Sequence, residues 1–410
     1  MTSLWIPQKE TDLIETIDRL KSSVFYSIFL DEKIEVNTWN VDFIRIQWNE
    51  NDWIDFDIKQ SKLHAGTLSS IPFEPHRHQI YYVEHISDAV CELKIPNTVY
   101  ISTKHDVLKH RSDYWCDEKG EEKILFHRSE RNNNFKIKNH LAWFILSLSF
   151  DFSFDDAIVL SRASTNVSCE TWPRDMCCFP SVCDPNKQRQ IPFLSIDRAK
   201  FSLYPIVDSS EWVHRLTVGF NIQTVQLRIK KPLLVNLEQQ IQDVCNLTNR
   251  TGIQLFINDY WQLAIKYHAF GVHLGQSDLN VADTDKIHKA NLRLGISTHG
   301  YYEILKAESL SPSYIALGHV FPTTTKNMTS QPQGLIRLTL YQELIDSIYN
   351  EGQKYPTVAI GGINLTNAKD VLATKVSSLA VVRAITQADD LKKNIQLFHS
   401  VFSEVKKGNR

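Results

Sequence analysis

The sequence predicts an α/β protein in two parts: a C-terminal (β/α)8 barrel from roughly Ala199 to Phe402, preceded by an N-terminal α/β domain of uncertain fold. Three observations lead there. At 410 residues the chain exceeds the length at which one core usually splits. From Phe201 onward short apolar runs alternate with longer amphipathic stretches, as repeated strand–helix units do. Polar clusters follow nearly every apolar run, as expected where an active site is assembled from the ends of many strands.

The candidate strands, in order, are Ser202 to Val207, Thr224 to Ile229, Ile253 to Ile257, Gly271 to Leu274, Arg293 to Ser297, Tyr314 to Leu317, Thr357 to Ile360 and Leu379 to Val382. Helical stretches such as Val235 to Thr248, Trp261 to His268, Leu335 to Tyr349 and Gln387 to Phe402 lie between or after them. Eight parallel units of about 25 residues close into a TIM barrel. A doubly wound open sheet competes, but no Gly-rich fingerprint follows the first strand.

Upstream, Phe43 to Ile58 is tryptophan-rich and partly strand-like, and Arg128 to Lys138 is a basic polar run. Leu141 to Ser149 and Asp155 to Ala163 then read as two buried or amphipathic helices. The prolines and cysteines Cys177, Cys178 and Cys183 between Trp172 and Pro192 mark the junction, giving domains 1–198 and 199–410.

Hydrophobic residues at 42% and charged residues at 22% describe a globular chain. Lys and Arg total 45 against 47 Asp and Glu, a net charge of −2. Such a balance gives no global attraction to nucleic acid or an anionic membrane, so an anionic partner would need a local basic site, and the class of partner must be read from a site. The opening MTSLWIPQKETDLIE has no basic segment followed by an apolar run, and no stretch of about 18 apolar residues occurs, so a cytoplasmic location is expected. Seven cysteines, an odd number spread along the chain, fit a reducing compartment better than a disulfide framework.

The polar clusters carry the chemistry. After the second strand, alternation sends Gln226, Arg228 and Lys230 to one side and Leu227 and Ile229 to the other. Inward cations at a barrel mouth suit phosphate; a solvated strand end is the alternative. Asn258-Asp259 follows the third strand, and His273-Leu-Gly-Gln-Ser-Asp278 ends the fourth. Asp259 and Asp278 thus sit at the ends of adjacent strands, where the pair can share Mg2+ with phosphate oxygens and water. Alternatively, Asp259 is the N-cap of a helix beginning at Trp261. The fifth strand ends in Ser297-Thr-His-Gly300, and the sixth runs into Gly318-His-Val-Phe-Pro-Thr323-Thr-Thr325-Lys326, whose hydroxyls and ammonium can bind phosphate. His273, His299 and His319 lack the short paired spacing of zinc sites and are expected to pack or support the barrel. Gly361-Gly362 after the seventh strand and Val382-Arg383 after the eighth stand where many barrels hold a phosphate.

Taken together, Gln226-Leu-Arg-Ile-Lys230, Ile257-Asn-Asp259, Gly271-Val-His-Leu-Gly-Gln-Ser-Asp278, Gly295-Ile-Ser-Thr-His299, Leu317-Gly-His-Val-Phe-Pro-Thr-Thr-Thr-Lys326 and Ala359-Ile-Gly-Gly362 resemble the thiamine-phosphate synthase family, in family order, over about half the chain. The resemblance implies a transferase that joins 4-amino-2-methyl-5-(diphosphooxymethyl)pyrimidine to 4-methyl-5-(2-phosphoethyl)thiazole, or its carboxylated form, with loss of pyrophosphate. It implies that Asp259 and Asp278 hold Mg2+ on the diphosphate, while Arg228, Lys230, Asn258, Ser297 and Lys326 bind or neutralise it. Gln226 would position the pyrimidine. Thr323, Thr325, Gly362 and the Val382-Arg383 backbone would meet the thiazole phosphate. Three departures stand out: Ser277 for a frequent acid, Tyr260 where some members have aspartate, and Arg383 where serine is common. None removes an assigned charge.

A second resemblance, carried by His105-Asp-Val-Leu-Lys109, Asp113-Tyr-Trp and Asn139-His140, is to the C-terminal portion of hydroxymethylpyrimidine phosphate kinases. Lys138-Asn-His-Leu-Ala-Trp143 stands where those kinases place a Gly-rich anion hole and a catalytic aspartate. A degenerate kinase-like domain is therefore expected, used for packing, homo-oligomerisation or substrate handover; an unrelated extension is the alternative. Cys169, Cys177, Cys178 and Cys183 match no common zinc spacing. Two rivals for the whole protein are a thiazole tautomerase on the same barrel, which needs no Mg2+ pair, and a non-catalytic thiamine-precursor sensor.

Overall fold

The computed structural model describes residues 2–60, 77–92, 94–104, 111–117, 120–127, 135–168, 170–184, 191–230, 236–323, 331–348 and 355–408. The chain forms two compact units, one of Met1–Arg189 with Gly300–Ser309, the other of Gln190–His299 with Leu310–Arg410.

The first unit is built on a mixed eight-stranded sheet in the order β2-β1-β3-β4-β5-β6-β7-β8. Its strands are β1 (Thr2–Pro7), β2 (Ile34–Trp39), β3 (Ile44–Asn49), β4 (Asp52–Gln60), β5 (Arg77–Val83), β6 (Thr98–Ser102), β7 (Arg111–Cys116) and β8 (Glu122–Phe126). Parallel pairing joins β1 to β2, β4 to β5 and β5 to β6; the other neighbours are antiparallel. The tryptophan-rich opening is the β3–β4 hairpin, whose turn is fixed by Asn51 N–H donating to Asn49 Oδ1 at 3.0 Å. Alternation buries Ile44, Ile46 and Phe56 on one face and leaves Arg45 to pair with Asp55 on the other.

The two expected helices are Ile137–Ser149 and Phe154–Ser164. The first buries every residue from His140 to Ser149, which is why its sequence shows no polar stripe. The second begins at Ser153, whose hydroxyl accepts from Asp156 N–H at 3.1 Å. Within this unit the buried Arg162 makes a two-pronged pair with Asp113 at 2.9 and 2.7 Å and donates to the carbonyls of Ser102 and Ser112. His140 lies 3.1 Å from both Tyr82 Oη and Ser161 Oγ. Burial, with help from the Arg162 charge, pushes the imidazole pKa well below its ordinary value. Two positions of the kinase-like resemblance, Asp113 and His140, thus belong to internal hydrogen-bond networks; His105 to Lys109 lie outside the described residues.

The second unit is a closed parallel barrel of β9 (Leu203–Val207), β10 (Thr224–Leu227), β11 (Gln254–Asn258), β12 (Gly271–Leu274), β13 (Arg293–Thr298), β14 (Tyr314–Gly318), β15 (Thr357–Ile360) and β16 (Ser378–Val381), with β16 pairing back to β9. Each predicted strand is present within two residues of its expected ends. Ile191–Asp197 runs along the N-terminal ends of these strands: Phe193 N–H donates to Ser311 O at 3.0 Å, Ser313 Oγ to Leu194 O at 2.6 Å, and Asp197 N–H to Gln254 Oε1 at 2.7 Å. The interior is filled by Tyr204, Ile206, Phe256, Tyr314, Ala316, Val358 and Ala380. The carboxyl ends of the strands are left to form the site. Among the described residues no helix is long and apolar enough to cross a membrane.

Candidate active site

A cavity of about 500 Å³ opens among the carboxyl ends of the barrel strands. Its walls include Gln226, Arg228, Lys230, Asn258, Asp259, Asp278, Ser297, Thr323, Gly362, Val382 and Arg383, every described residue that the sequence singles out. Thr325 and Lys326 lie outside the described residues.

β10 ends at Leu227, and the chain continues past it with Arg228 half-buried and Lys230 exposed at the cavity mouth. Burial lowers the Arg228 pKa from its ordinary value, while the nearby Asp259 charge opposes the shift. Lys230 Nζ lies 2.6 Å from Asp259 Oδ2. Asp259 has φ +66, a left-handed conformation, and its N–H donates to His273 O at 3.0 Å. That turn gives Asp259 a different job from the N-cap alternative: the helix is Trp261–Lys266, its N-cap is Tyr260, and no side chain caps it.

Asp278 sits in the short helix Gln276–Val281 after β12 and lines the cavity together with Asp259. Burial first, then the charge of Asp259, raises its pKa above the ordinary carboxylate range. Two crowded carboxylates of this kind are a donor set suited to a hard divalent cation. The buried amide nitrogen of Asn258 has no hydrogen-bond partner among the described residues, leaving a donor ready for an anionic oxygen. Across the mouth, Gly362 has φ +67, and a Cβ there would fall 2.7 Å from Phe321 Cβ and 2.8 Å from Pro322 O. Only glycine lets this backbone turn so close to the β14 loop. Asn367 Nδ2 braces it by donating to Gly362 O at 3.0 Å.

Sequence reasoning missed how the floor is wired. Gln226 Nε2 donates to Tyr204 Oη at 3.1 Å, Tyr204 Oη lies 2.9 Å from Tyr314 Oη, Tyr314 Oη 2.7 Å from His273 Nδ1, and His273 Nε2 2.7 Å from Ser297 Oγ. The chain therefore links two cavity residues through buried groups. The inward alternation of Tyr204 with Ile206 is a signal that could have placed Tyr204 in the barrel interior, though not its partners. Among the described residues no group of three or more His, Cys, Asp or Glu side chains is arranged around a metal position, at the three histidines or at the described cysteines.

A closed parallel barrel with cations, a carboxylate pair and a glycine turn at the carboxyl ends of its strands defines a phosphate-handling (β/α)8 enzyme. A family model described as thiamine monophosphate synthase matches residues 203–385. The chain is 53% identical over 191 residues to a thiamine-phosphate synthase of Proteus mirabilis, covering 47% of this chain and 85% of that one. With the Photorhabdus laumondii thiamine-phosphate synthase the identity is 48% over 208 residues, covering 51% and 92%. A solved thiamine phosphate pyrophosphorylase from Pyrococcus furiosus is 31% identical, with a TM-score of 0.43, over 51% of this chain and 98% of that one. This chain belongs to the thiamine-phosphate synthase family.

Proposed function

We propose that the barrel cavity condenses a pyrimidinylmethyl diphosphate with a thiazole phosphate to give thiamine phosphate and pyrophosphate. The carbon–oxygen bond to the diphosphate breaks, pyrophosphate leaves with the bonding pair, and the thiazole nitrogen's lone pair forms the new carbon–nitrogen bond. The main catalytic demand is stabilisation of the charge that gathers on the leaving group.

Arg228 and Lys230 meet that demand as fixed cations, and Asn258 and Ser297 add uncharged donors. Asp259 and Asp278 would hold Mg2+, which supplies charge neutralisation on the departing diphosphate. Gln226, held by Tyr204, positions the pyrimidine. Thr323, Gly362, Val382 and Arg383 form the opposite wall, where the thiazole phosphate binds; Arg383, exposed at the rim, adds a positive charge there. Thr325 and Lys326 extend these roles on the strength of the sequence alone. A thiazole tautomerase on the same barrel would leave the carboxylate pair and the cations facing it without work.

The observation that carries this reading is the convergence in one cavity of the Asp259–Asp278 pair with Arg228, Lys230 and the Asn258 amide nitrogen, which has no partner among the described residues. Incubating the purified protein with both substrates, with and without Mg2+, tests it. Thiamine phosphate should form in the presence of the metal and fall sharply without it; no product in either case refutes the synthase reading.

A further inference from the structure

Strand β13 and the residue after it bring Ser297 and His299 to the cavity, and the next residue, Gly300, begins a stretch that belongs to the first unit. The helix Tyr301–Ser309 therefore starts inside that unit, and the residue ahead of it has no side chain with which to cap it. The cap comes from Asp156, in the buried helix Phe154–Ser164, whose Oδ1 accepts from Tyr302 N–H at 2.9 Å. A Cβ on Gly300 would fall 2.1 Å from Asp156 Oδ2, so the carboxylate fills the space a capping side chain at 300 would occupy. Around it, the fully buried Tyr301 accepts from Trp172 Nε1 at 3.2 Å and stacks on Phe179 with ring centroids 5.3 Å apart. The first turn of this helix is thus fixed by the first unit, beginning four residues after Ser297.

We propose that Asp156 is a positioning residue for the synthase reaction: by capping helix Tyr301–Ser309 it sets where Ser297 and His299 stand in the cavity. The inference rests on the role given above to Ser297 in holding the diphosphate. Its physical basis is short. A helix end without its cap frays, the peptide joining His299 to Gly300 moves with it, and displacing a substrate-positioning group by about 1 Å can cost on the order of a hundredfold in rate.

The test uses the full-length protein and steady-state formation of thiamine phosphate by wild type, Asp156→Ala, Asp156→Asn, Gly300→Ala and Leu13→Ala. Asp156→Ala should lower kcat/KM for the pyrimidine diphosphate by about tenfold or more while leaving KM for the thiazole phosphate within about twofold. Asparagine, whose side-chain oxygen still accepts from Tyr302 N–H, should restore kcat/KM to within about threefold. Gly300→Ala, which drives a methyl into the carboxylate, should reproduce the loss. Leu13→Ala opens a cavity in the first unit, in the helix Thr11–Leu20, and should lower stability without the kinetic change. Wild-type kinetics in Gly300→Ala, an asparagine variant no better than alanine, or an equal loss in Leu13→Ala would each overturn the proposal. Should Asp156→Ala fail to fold, the asparagine and Gly300 variants decide it. A wild-type protein that makes no thiamine phosphate removes the synthase reading itself, a separate outcome.

Discussion

At the scale of single residues, the carboxylate pair gives the sharpest expectation. With the roles proposed above, Asp278→Ala removes one of the two carboxylates that would hold Mg2+, so turnover at limiting Mg2+ should fall by at least tenfold and recover in part at high Mg2+. Wild-type rates at limiting metal would refute its role. A second expectation concerns pH and Asp156, whose pKa burial raises from 3.8 to about 7 against the pull of the Tyr301 and Tyr302 N–H groups. A folded pKa above the unfolded one means the carboxyl's contribution is fully present below about pH 4 and is lost as pH rises through 7. Wild type should therefore lose stability relative to Asp156→Asn between pH 5 and pH 8, by a few kcal/mol at most. Urea midpoints of the two proteins at both pH values check this; a constant gap would mean that the group does not titrate there. The cavity charges were legible in the sequence because they follow closely on the apolar runs that form the barrel strands. His273, Tyr314 and Tyr204 were not, since their chain of hydrogen bonds crosses strands that only the closed barrel brings together.

Among elements, the barrel strands were readable to within two residues because parallel strands buried on both faces appear as continuous apolar runs. Helix ends were less so. A short helix, Arg383–Thr386, precedes the stretch read as a helix from Gln387 to Phe402, which itself becomes helical only at Leu391 and runs to Gly408. Asp390 starts the second by accepting from Lys393 N–H at 2.9 Å, a cap signal present in the sequence but outweighed by the apolar period around it. In the first unit the hairpin and the two central helices were visible locally, whereas the sheet order depends on pairings between distant segments. The barrel floor yields its own prediction. Tyr314→Phe takes away the hydroxyl between His273 and Tyr204, leaving two buried groups short of a partner, so the denaturant midpoint should fall by an amount equivalent to about 1–3 kcal/mol. KM for the pyrimidine diphosphate should rise as Gln226 and Ser297 lose their fixed orientation. An unchanged KM would show that the chain supports only the fold.

For the whole molecule, the family relationship covers the barrel and leaves the first unit to be understood from its own contacts. Asp113 and His140, which helped motivate the kinase-like expectation, take part in hydrogen bonds within this unit, to Arg162 and to Ser161. Expressing residues 190–410 alone removes Asp156, Trp172 and Phe179 from helix Tyr301–Ser309. The isolated barrel should unfold at lower denaturant than the full chain and form thiamine phosphate more slowly; equal rates would show that catalysis is independent of the first unit. The detour of Gly300–Ser309 into that unit also has a bearing on biosynthesis. Domains tend to fold as units, N-terminal first, while the chain is being made. Residues 1–189 leave the ribosome more than a hundred residues ahead of Gly300, so the docking place for this helix is built before the helix arrives. A gene with the two halves in reverse order would encode the same contacts but make the barrel wait for them.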